Sequence, residues 1–308
     1  MKIIFFGTPK FAADILSYLF ENKLNIKAVV TQSDLKKNNR SYFSEVKKVA
    51  SIYLDDSEIY QPMKASDPSF IDDLKKYEAD LFIVVAYGQI LKQALLDVPK
   101  KECINVHASS LPKYRGAAPI HRAILNGETQ SGITIQKMLR KMDTGPTILQ
   151  NKIDIPENMV FTSLQEKMCQ LAKEMLLDVI EKYKKNDVSY IEQDEAQVSY
   201  APKITKEMKQ INFENSAKKI FDQIRAFAKN PGAFCKVSIN NHQKELKIFE
   251  SKIALKKLKP KSFEIVDNSL IIGCKENALE LVEVQLEGKK KMRASEFIRG
   301  VQNQILFH

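Results

Sequence analysis

Three side chains in the middle of the chain have the types that acyl transfer to an amine requires: Asn105, His107 and Asp143. The Asn amide can donate a hydrogen bond to a developing oxyanion, and the His imidazole, with an unperturbed pKa of about 6.5, exchanges protons near neutral pH. A carboxylate beside the imidazole completes a set that works without a covalent intermediate. The residue types therefore indicate acyl transfer if folding brings Asp143 to His107.

Each of these residues also has a purely structural interpretation. A single His at the end of a strand is more often structural than catalytic. The sequence from Asp143 to Gly145 is a common turn, in which the Asp side chain bonds its own backbone and Gly takes a positive φ. Spacing alone does not place Asp143 beside His107, so local sequence leaves both interpretations open.

The surrounding sequence predicts alternating strands and helices. Short apolar runs predict strands at residues 2–6, 26–31, 81–86 and 103–107, and apolar residues at helical spacing predict helices from residue 9 and over 45–53 and 68–77. This alternation is typical of a doubly wound, mostly parallel, Rossmann-like α/β sheet. Asn105 and His107 then share one face at the carboxyl end of a strand, the edge where ligands of such sheets bind.

The second part of the chain predicts a different architecture. Two strands, at 131–138 and 147–155, flank the turn that contains Asp143, and a long helix follows. Beyond residue 205 a helix with one apolar face precedes short strands at 235–239, 246–250, 270–274 and 278–284. We therefore predict an α/β domain over residues 1–204 and a smaller OB-like β-barrel domain over 205–308.

The net charge of +10 is distributed unevenly. Residues 1–204 carry 28 basic and 26 acidic side chains, whereas residues 205–308 carry 20 basic and 12 acidic ones. The densest basic runs lie at 256–261 and 289–293. The excess predicts an acidic partner for the second domain, nucleic acid or an anionic membrane, although a charge run can also be a solvated loop.

Several classes of protein are disfavoured by motifs that the sequence lacks. The segment after the first strand reads GTPKFA (7–12), with Thr8 as a predicted helix N-cap and Pro9 as the first helical residue, and matches neither a dinucleotide-binding nor a Walker loop. The four cysteines form no C-x-x-C pair, and no cluster has metal-ligand spacing. No apolar run approaches the ~20 residues of a membrane helix. We expect a cytoplasmic protein with reduced cysteines and no metal.

Longer motifs resemble one family of enzymes. The runs INVHASSLP (104–112) and YRGAAPI (114–120) resemble the signature of the 10-formyltetrahydrofolate-dependent formyltransferases. Similar segments extend along nearly the whole chain: GTPKFA (7–12), VAYGQIL (85–91), LRKMDTG (139–145), IRAF (224–227) and GKKKM (288–292). The last two resemble the C-terminal domain of the tRNA-modifying members.

The resemblance implies a reaction and a role for each residue. A formyl group would pass from N10 of 10-formyltetrahydrofolate to the amino group of methionyl-initiator-tRNA, for translation initiation. Asn105 would stabilise the oxyanion, His107 would move the proton, and Asp143 would orient His107. The residues implied to line the folate pocket are Tyr87, Gly88, Ser109, Ser110, Leu111 and Pro112.

The resemblance also implies tRNA contacts at two places. After Asp34 the family carries a basic insertion that enters the tRNA acceptor arm, and this chain has a shorter loop without Pro or Gly that keeps its charge. A solvated loop is the alternative there. The residues implied to contact tRNA are Lys36, Lys37, Arg40, Lys289, Lys290, Lys291 and Arg293.

Two other functions stay open at this stage. A formyltransferase acting on an amino sugar nucleotide would share the three catalytic residues and differ in its C-terminal domain. A catalytically idle RNA-binding protein would retain only the fold. By resemblance we expect a monomer that does not associate with a membrane.

Overall fold

The computed structural model describes residues 1–37, 40–301 and 305–308, and the chain forms two compact units. The first unit comprises Met1–Pro119, Ser131–Ile153 and Gln165–Ala201, and the second comprises Ile120–Gln130, Asp154–Leu164 and Pro202–His308. The main stretch of the second unit begins close to the boundary expected from the sequence, but two earlier stretches belong to it as well. The division into functional domains at residue 205 stays a prediction.

Eight α-helices and eighteen β-strands are found among the described residues. The helices are α1 (Lys10–Glu21), α2 (Glu45–Tyr53), α3 (Pro68–Lys75), α4 (Gln93–Leu96), α5 (Pro119–Leu125), α6 (Phe161–Lys185), α7 (Ala217–Phe227) and α8 (Ala294–Val301). The strands are β1 (Ile3–Gly7), β2 (Ile26–Val30), β3 (Leu35–Lys37), β4 (Arg40–Tyr42), β5 (Ile59–Tyr60), β6 (Leu81–Val85), β7 (Glu102–His107), β8 (Arg115–Gly116), β9 (Gln130–Lys137), β10 (Thr147–Asp154), β11 (Tyr200–Ala201), β12 (Ala233–Ile239), β13 (His242–Ala254), β14 (Phe263–Val266), β15 (Ser269–Gly273), β16 (Ala278–Leu286), β17 (Met292–Arg293) and β18 (Ile305–Phe307).

The main sheet of the first unit confirms the predicted doubly wound, mostly parallel architecture. Its seven strands lie in the order β10-β9-β7-β6-β1-β2-β5. The pairs β1–β2, β1–β6, β2–β5 and β6–β7 are parallel, and β9 runs antiparallel to β7. The strand order reverses at β1, so the crevice between the carboxyl ends of β1 and β6 is the place where such folds bind ligands.

Local sequence explains most of these elements. All five residues of β6 are buried, as is usual for an apolar strand of a parallel sheet that is covered on both faces. The Ser44 side chain caps α2 by accepting from the backbone N–H of Lys47, and Asp67 caps α3, whose first residue is Pro68.

The cap predicted for the first helix is wrong. Pro9 itself occupies the N-cap of α1, with no side-chain cap. The Thr8 hydroxyl donates instead to the carbonyl oxygen of Tyr87 at 2.8 Å. That hydrogen bond joins the segments that follow β1 and β6, so Thr8 links the two strands of the ligand crevice instead of starting a helix.

The second unit contains a curled antiparallel sheet, as the run of short strands predicts. Its strands lie in the order β14-β15-β16-β13-β12-β18, and β17 pairs with β16. The two edge strands lie close to each other: the ring centroids of Phe263 on β14 and Phe307 on β18 are 5.7 Å apart. Helix α7 packs Ile220, Ile224 and Phe227 into the core of this half-barrel.

All four cysteines are buried and free, and burial raises the pKa of Cys235 to about 12. No helix in the described parts of the chain is long and apolar enough to cross a membrane. The same residues contain no group of three or more His, Cys, Asp or Glu side chains that could hold a metal ion.

Candidate active site

Strand β7 carries Asn105 and His107 to the carboxyl edge of the sheet. Its neighbours are β6, which pairs Val84 with Asn105, and β9, which pairs Gln136 with Asn105. The two side chains lie on the same face because they are two residues apart on one strand. His107 is only 5% exposed. Because β9 is antiparallel to β7, with Lys137 opposite Ile104, the loop that follows β9 starts beside the amino-terminal part of β7 and must fold back to reach Asn105 and His107.

That loop, residues 138–146, carries Asp143 back toward β7. Its two ends are joined where the backbone N–H of Lys137 donates to the carbonyl oxygen of Pro146 at 3.0 Å. Asp143 adopts a positive φ of 54°. A Cβ at Gly145 would collide with the Lys137 carbonyl oxygen, so the loop lies directly against β9.

The carboxylate of Asp143 is the centre of the site. Its Oδ2 accepts from the backbone N–H of Gly116 at 2.8 Å. Its Oδ1 accepts from Gln136 Nε2 at 3.1 Å and from Asn105 Nδ2 at 3.5 Å, and lies 3.7 Å from His107 Nδ1. Folding therefore brings together the three residues that the sequence singled out, and the Asp143 turn is more than a local backbone motif.

The imidazole of His107 is fixed by a backbone carbonyl. Its Nε2 lies 2.9 Å from the carbonyl oxygen of Tyr114. Because a carbonyl oxygen can only accept, Nε2 carries a hydrogen in this arrangement. The nitrogen left to take up or release a proton is Nδ1, which faces Asp143.

Two of the residues expected to line a folate pocket follow β6. Tyr87 and Gly88 come directly after the strand, and Ala86 and Gly88 have positive φ values of 46° and 92°. The Tyr87 ring packs edge-on against Phe6, with centroids 5.5 Å apart. Burial raises the pKa of the Tyr87 phenol to about 12, and its hydroxyl has no hydrogen-bond partner among the described residues.

The other four residues expected to line a folate pocket form the loop after β7, the strand next to β6 in the sheet. Thr134 on β9 holds this loop by donating to the Ser109 carbonyl at 2.7 Å and accepting from the Leu111 N–H at 3.1 Å. The Ser109 hydroxyl donates to the Lys113 carbonyl at 2.6 Å, and Leu111-Pro112 is a cis peptide bond. The Ser110 hydroxyl is buried and has no partner within the described segments.

Sequence reasoning missed the polar side chains behind Asp143. Gln136, Gln193 and Arg115 lie next to the loop: the amide nitrogen of Gln193 donates to the backbone oxygens of Asp143 and Gly145 at 3.0 and 2.7 Å. Gln136 lies within a predicted strand, but its position opposite Asn105 follows only from the observed register of β7 and β9. Gln193 lies in an irregular segment between α6 and β11, where no periodicity or motif marks it.

The basic residues expected to contact tRNA lie on two hairpins. Lys36, Lys37 and Arg40 lie on β3 and β4, which pair antiparallel, while residues 38 and 39 of the same loop lie outside the described residues. Lys289–Arg293 follow β16, and β17 turns back to pair with it.

All four basic side chains of this second hairpin are exposed, but their surroundings differ. Lys291 Nζ lies 3.6 Å from the centre of the Phe249 ring and 3.7 Å from a carboxylate oxygen of Glu283. Lys291 is therefore partly engaged within the unit, whereas Lys289 and Lys290 have no ion pair among the described side chains.

Comparison with known proteins identifies the family. A family model described as formyl transferase matches residues 1–180, and one described as formyl transferase, C-terminal domain, matches residues 203–302. The chain is 44% identical over 315 residues to a methionyl-tRNA formyltransferase of Protochlamydia amoebophila, in an alignment that covers 100% of this chain and 98% of the relative. It is 38% identical over 313 residues to the methionyl-tRNA formyltransferase of Chlamydia caviae, and that alignment covers 99% of this chain and 97% of the relative.

A solved structure shares the fold. HypX from Aquifex aeolicus in complex with tetrahydrofolic acid is similar with a TM-score of 0.66 at 17% sequence identity, over 98% of this chain and 48% of that one. Both family models match this chain, and it is 44% and 38% identical to two methionyl-tRNA formyltransferases along nearly its whole length. The chain therefore belongs to the formyl transferase family.

Proposed function

We propose that this protein transfers a formyl group from 10-formyltetrahydrofolate to the amino group of methionyl-initiator-tRNA, for translation initiation. The observation that carries the proposal is the 44% identity to a methionyl-tRNA formyltransferase along the whole chain, which includes the segments that form the Asn105–His107–Asp143 cluster. The excess of basic residues beyond residue 205 supports a nucleic-acid substrate.

The residues at the strand ends fit a folate. The hydroxyls of Tyr87 and Ser110 are buried without partners among the described residues, and they follow the neighbouring strands β6 and β7. Buried polar groups normally find a partner, so a ligand with several polar groups would satisfy them. When bound, 10-formyltetrahydrofolate supplies the formyl carbon on N10, and the backbone groups of Tyr87, Gly88 and Ser109–Pro112 hold it.

The three side chains at the edge of β7 have separate tasks. One N–H of Asn105 Nδ2 is directed at Asp143, and the other donates to the formyl oxygen as negative charge develops there. His107 Nδ1 takes the proton from the attacking amine and returns it to the leaving nitrogen. Asp143 keeps Nδ1 directed into the site and stabilises the imidazolium while it exists, with the contact completed in part through water.

The basic hairpins position the tRNA. Lys289 and Lys290 lie in an exposed turn with no ion pair among the described residues, which suits contact with phosphates. Lys291 and Arg293 extend the same surface, and Lys36, Lys37 and Arg40 supply the second contact. Phosphate contacts of this kind locate a nucleic acid without reading its bases. We further propose that the protein works in the cytoplasm as a monomer, without membrane association.

Incubation with 10-formyltetrahydrofolate and methionine-charged initiator tRNA tests the proposal, with formylmethionyl-tRNA measured directly. The control substrate is a nucleoside-diphosphate amino sugar under the same conditions. Formylation of the tRNA alone is expected. Formylation of the sugar alone would replace the proposal by the amino sugar alternative, and tRNA binding without turnover of either substrate would leave an RNA-binding protein.

A further inference from the structure

The hydrogen bonds around Asp143 continue away from the reacting groups through a row of polar side chains in the first unit. At the far end, Arg115 donates to Glu195 at 2.6 Å and to the Gln193 Oε1 at 2.8 and 3.1 Å. Gln193 Nε2 lies 3.3 Å from Gln136 Oε1, and Gln136 Nε2 lies 3.1 Å from Asp143 Oδ1. Arg115 and Gln136 are buried, with exposed fractions of 2% and 1%.

The two ends of this row determine how both amides are oriented. A guanidinium can only donate, so Gln193 must present its oxygen to Arg115. A carboxylate can only accept, so Gln136 must present its nitrogen to Asp143. Both amides then point the same way, and every hydrogen bond between Arg115 and Asp143 along the row is donated in the direction of Asp143. Flipping either amide would set two donors against each other.

The row fixes the carboxylate in one rotational position. The backbone N–H of Gly116 anchors Oδ2, and with that anchor alone the carboxylate plane could turn. Gln136 anchors Oδ1, the oxygen that faces His107 Nδ1 at 3.7 Å. The imidazole is anchored independently through the Tyr114 carbonyl. Asn105 also donates to Oδ1, but at 3.5 Å against 3.1 Å for Gln136, so the relative position of the two groups depends chiefly on Gln136.

We propose that Gln136 is a positioning residue for the formyl transfer, holding Oδ1 of Asp143 opposite Nδ1 of His107. The inference rests on the proposed function for the reaction itself. It goes further because it assigns a role to a buried side chain that acts through Asp143.

The first test is Gln136→Met, which keeps the length of the side chain and removes its donor. The hydrogen bond goes to a charged group, so we expect kcat to fall about ten-fold while both KM values stay within about two-fold. Gln130→Met, at the exposed start of the same strand, is the matched control and leaves kcat and both KM values unchanged. An unchanged kcat in Gln136→Met would overturn the inference.

A second variant separates positioning from packing. In Gln136→Glu the new side chain donates to Asp143 while it is protonated and repels Asp143 once it ionises. The ratio of variant to wild-type kcat is therefore expected to fall at least ten-fold between pH 5.5 and pH 7.5. A ratio that is low and independent of pH would mean that Gln136 only fills space, and the positioning role would be rejected.

An NMR measurement of the 13C-labelled Asp143 carboxyl carbon at pH 7.5 distinguishes this inference from the proposed function, because it needs no turnover. In folded Gln136→Met the resonance is expected to move from its wild-type position, because the carboxylate loses the Gln136 donor. A moved resonance in a protein that fails to formylate methionyl-tRNA would reject the proposed function and keep the hydrogen-bond assignment. An unchanged resonance in an active protein would reject the role of Gln136.

Discussion

The Asp143 carboxylate connects the elements of the site, because it contacts four groups from three parts of the first unit. Gly116 follows β7 in the chain, Gln136 lies on β9, and Asn105 and His107 lie on β7. A side chain with so many fixed partners costs no reorganisation when charge develops in the reaction. The residues that touch the substrate and those that hold Asp143 should therefore respond differently to substitution.

Asn105→Ala tests the oxyanion donor. Removal of one such donor lowers kcat by about 10²–10³-fold. We expect that loss with little change in the melting temperature, because the Asn105 side chain is partly exposed and, among the described residues, makes a single long hydrogen bond at 3.5 Å. The measurement is single-turnover formylation together with thermal unfolding. Asn151→Ala, an exposed position on β10, is the control. A kcat within ten-fold of the wild type would exclude Asn105 as the oxyanion donor.

His121 gives a prediction about stability at low pH. Burial lowers the pKa of this His to about 4, and its ring stacks on Phe161 with centroids 3.9 Å apart. The unfolded chain, with an ordinary His pKa of about 6.5, binds more protons, so stability falls as the pH falls from 6.5 toward 4. At pH 5 this single group should cost about 2 kcal/mol relative to pH 7.5.

His121→Phe keeps the stacked ring and removes the titration. Urea unfolding at pH 5 and pH 7.5 measures both proteins, and the difference between them isolates His121 from every other ionisable group. We expect the variant to lose less stability than the wild type on acidification. Equal losses in the two proteins would show that His121 titrates normally.

At the scale of elements, the loop between β9 and β10 depends on the lack of a side chain at Gly145. A Cβ there would overlap the Lys137 carbonyl oxygen and lie 2.9 Å from the Lys137 carbonyl carbon. Both are backbone atoms, so they cannot rotate away as a side chain could. Gly145→Ala should therefore displace Asp143 and lower kcat about 10²-fold, since a shift of about 1 Å has such an effect. Gly300→Ala is the control, because its Cβ would meet nothing within 4 Å. Wild-type turnover in Gly145→Ala would disprove the close contact.

The hairpin of β16 and β17 predicts unequal roles for adjacent lysines. Lys289→Ala or Lys290→Ala should weaken tRNA binding and reduce the slope of log K against log salt by about 0.9 each, as expected for one lost phosphate contact. Lys291→Ala should reduce the slope less and stability more, because Lys291 already contacts Phe249 and Glu283. Filter binding at several salt concentrations measures the slopes, with Lys184→Ala on α6 as control. If every hairpin variant kept the salt slope of the wild type, the hairpin would not be part of the tRNA interface.

Elements with a strong local pattern were predictable from the sequence, and those fixed by distant contacts were not. The helix at 45–53 has the predicted bounds because Ser44 caps it and its apolar residues are periodic. The hairpin of β3 and β4 was missed because Lys36, Lys37 and Arg40 show no apolar alternation. Helix α8 and strand β18 were missed because each is too short to establish a period.

The same distinction applies to the site. Asn105 and His107 could be found because a strand end and a two-residue spacing determine their placement. Their proximity to Asp143 could not be predicted from spacing, since it arises from the antiparallel return of β9 beside β7. The amide of Gln193 lay beyond prediction because its contacts come from an irregular segment about fifty residues after the Asp143 loop.

At the scale of the whole molecule, the second unit is assembled from three separate stretches of chain. The earliest of them carries α5, where Leu125 packs against the core of the half-barrel and the His121 ring lies 5.7 Å from that of Phe227. A fragment of residues 1–204 retains α5 and lacks these partners. We expect it to expose apolar surface and to aggregate or unfold at lower temperature than the intact chain.

Light scattering and circular dichroism of that fragment, measured beside the full chain, test this expectation. The matched control is the same fragment with Leu125→Lys, which should be more soluble than the unaltered fragment because it removes one of the exposed apolar side chains. A monomeric 1–204 fragment with the melting temperature of the full chain would show that residues 205–308 contribute nothing to the stability of the two earlier stretches of the second unit.

The interleaving of the units has a consequence for recombination between relatives. A single crossover at residue 205 would join the half-barrel of one parent to an α5 and a 154–164 segment from the other. Such chimaeras would inherit mismatched packing at the residues that contact Phe227 and the half-barrel core, even where both parents fold well. Three coordinated exchanges are needed to move the second unit intact. We therefore expect the second unit to be inherited together with the first unit of the same parent and not exchanged as a separate module.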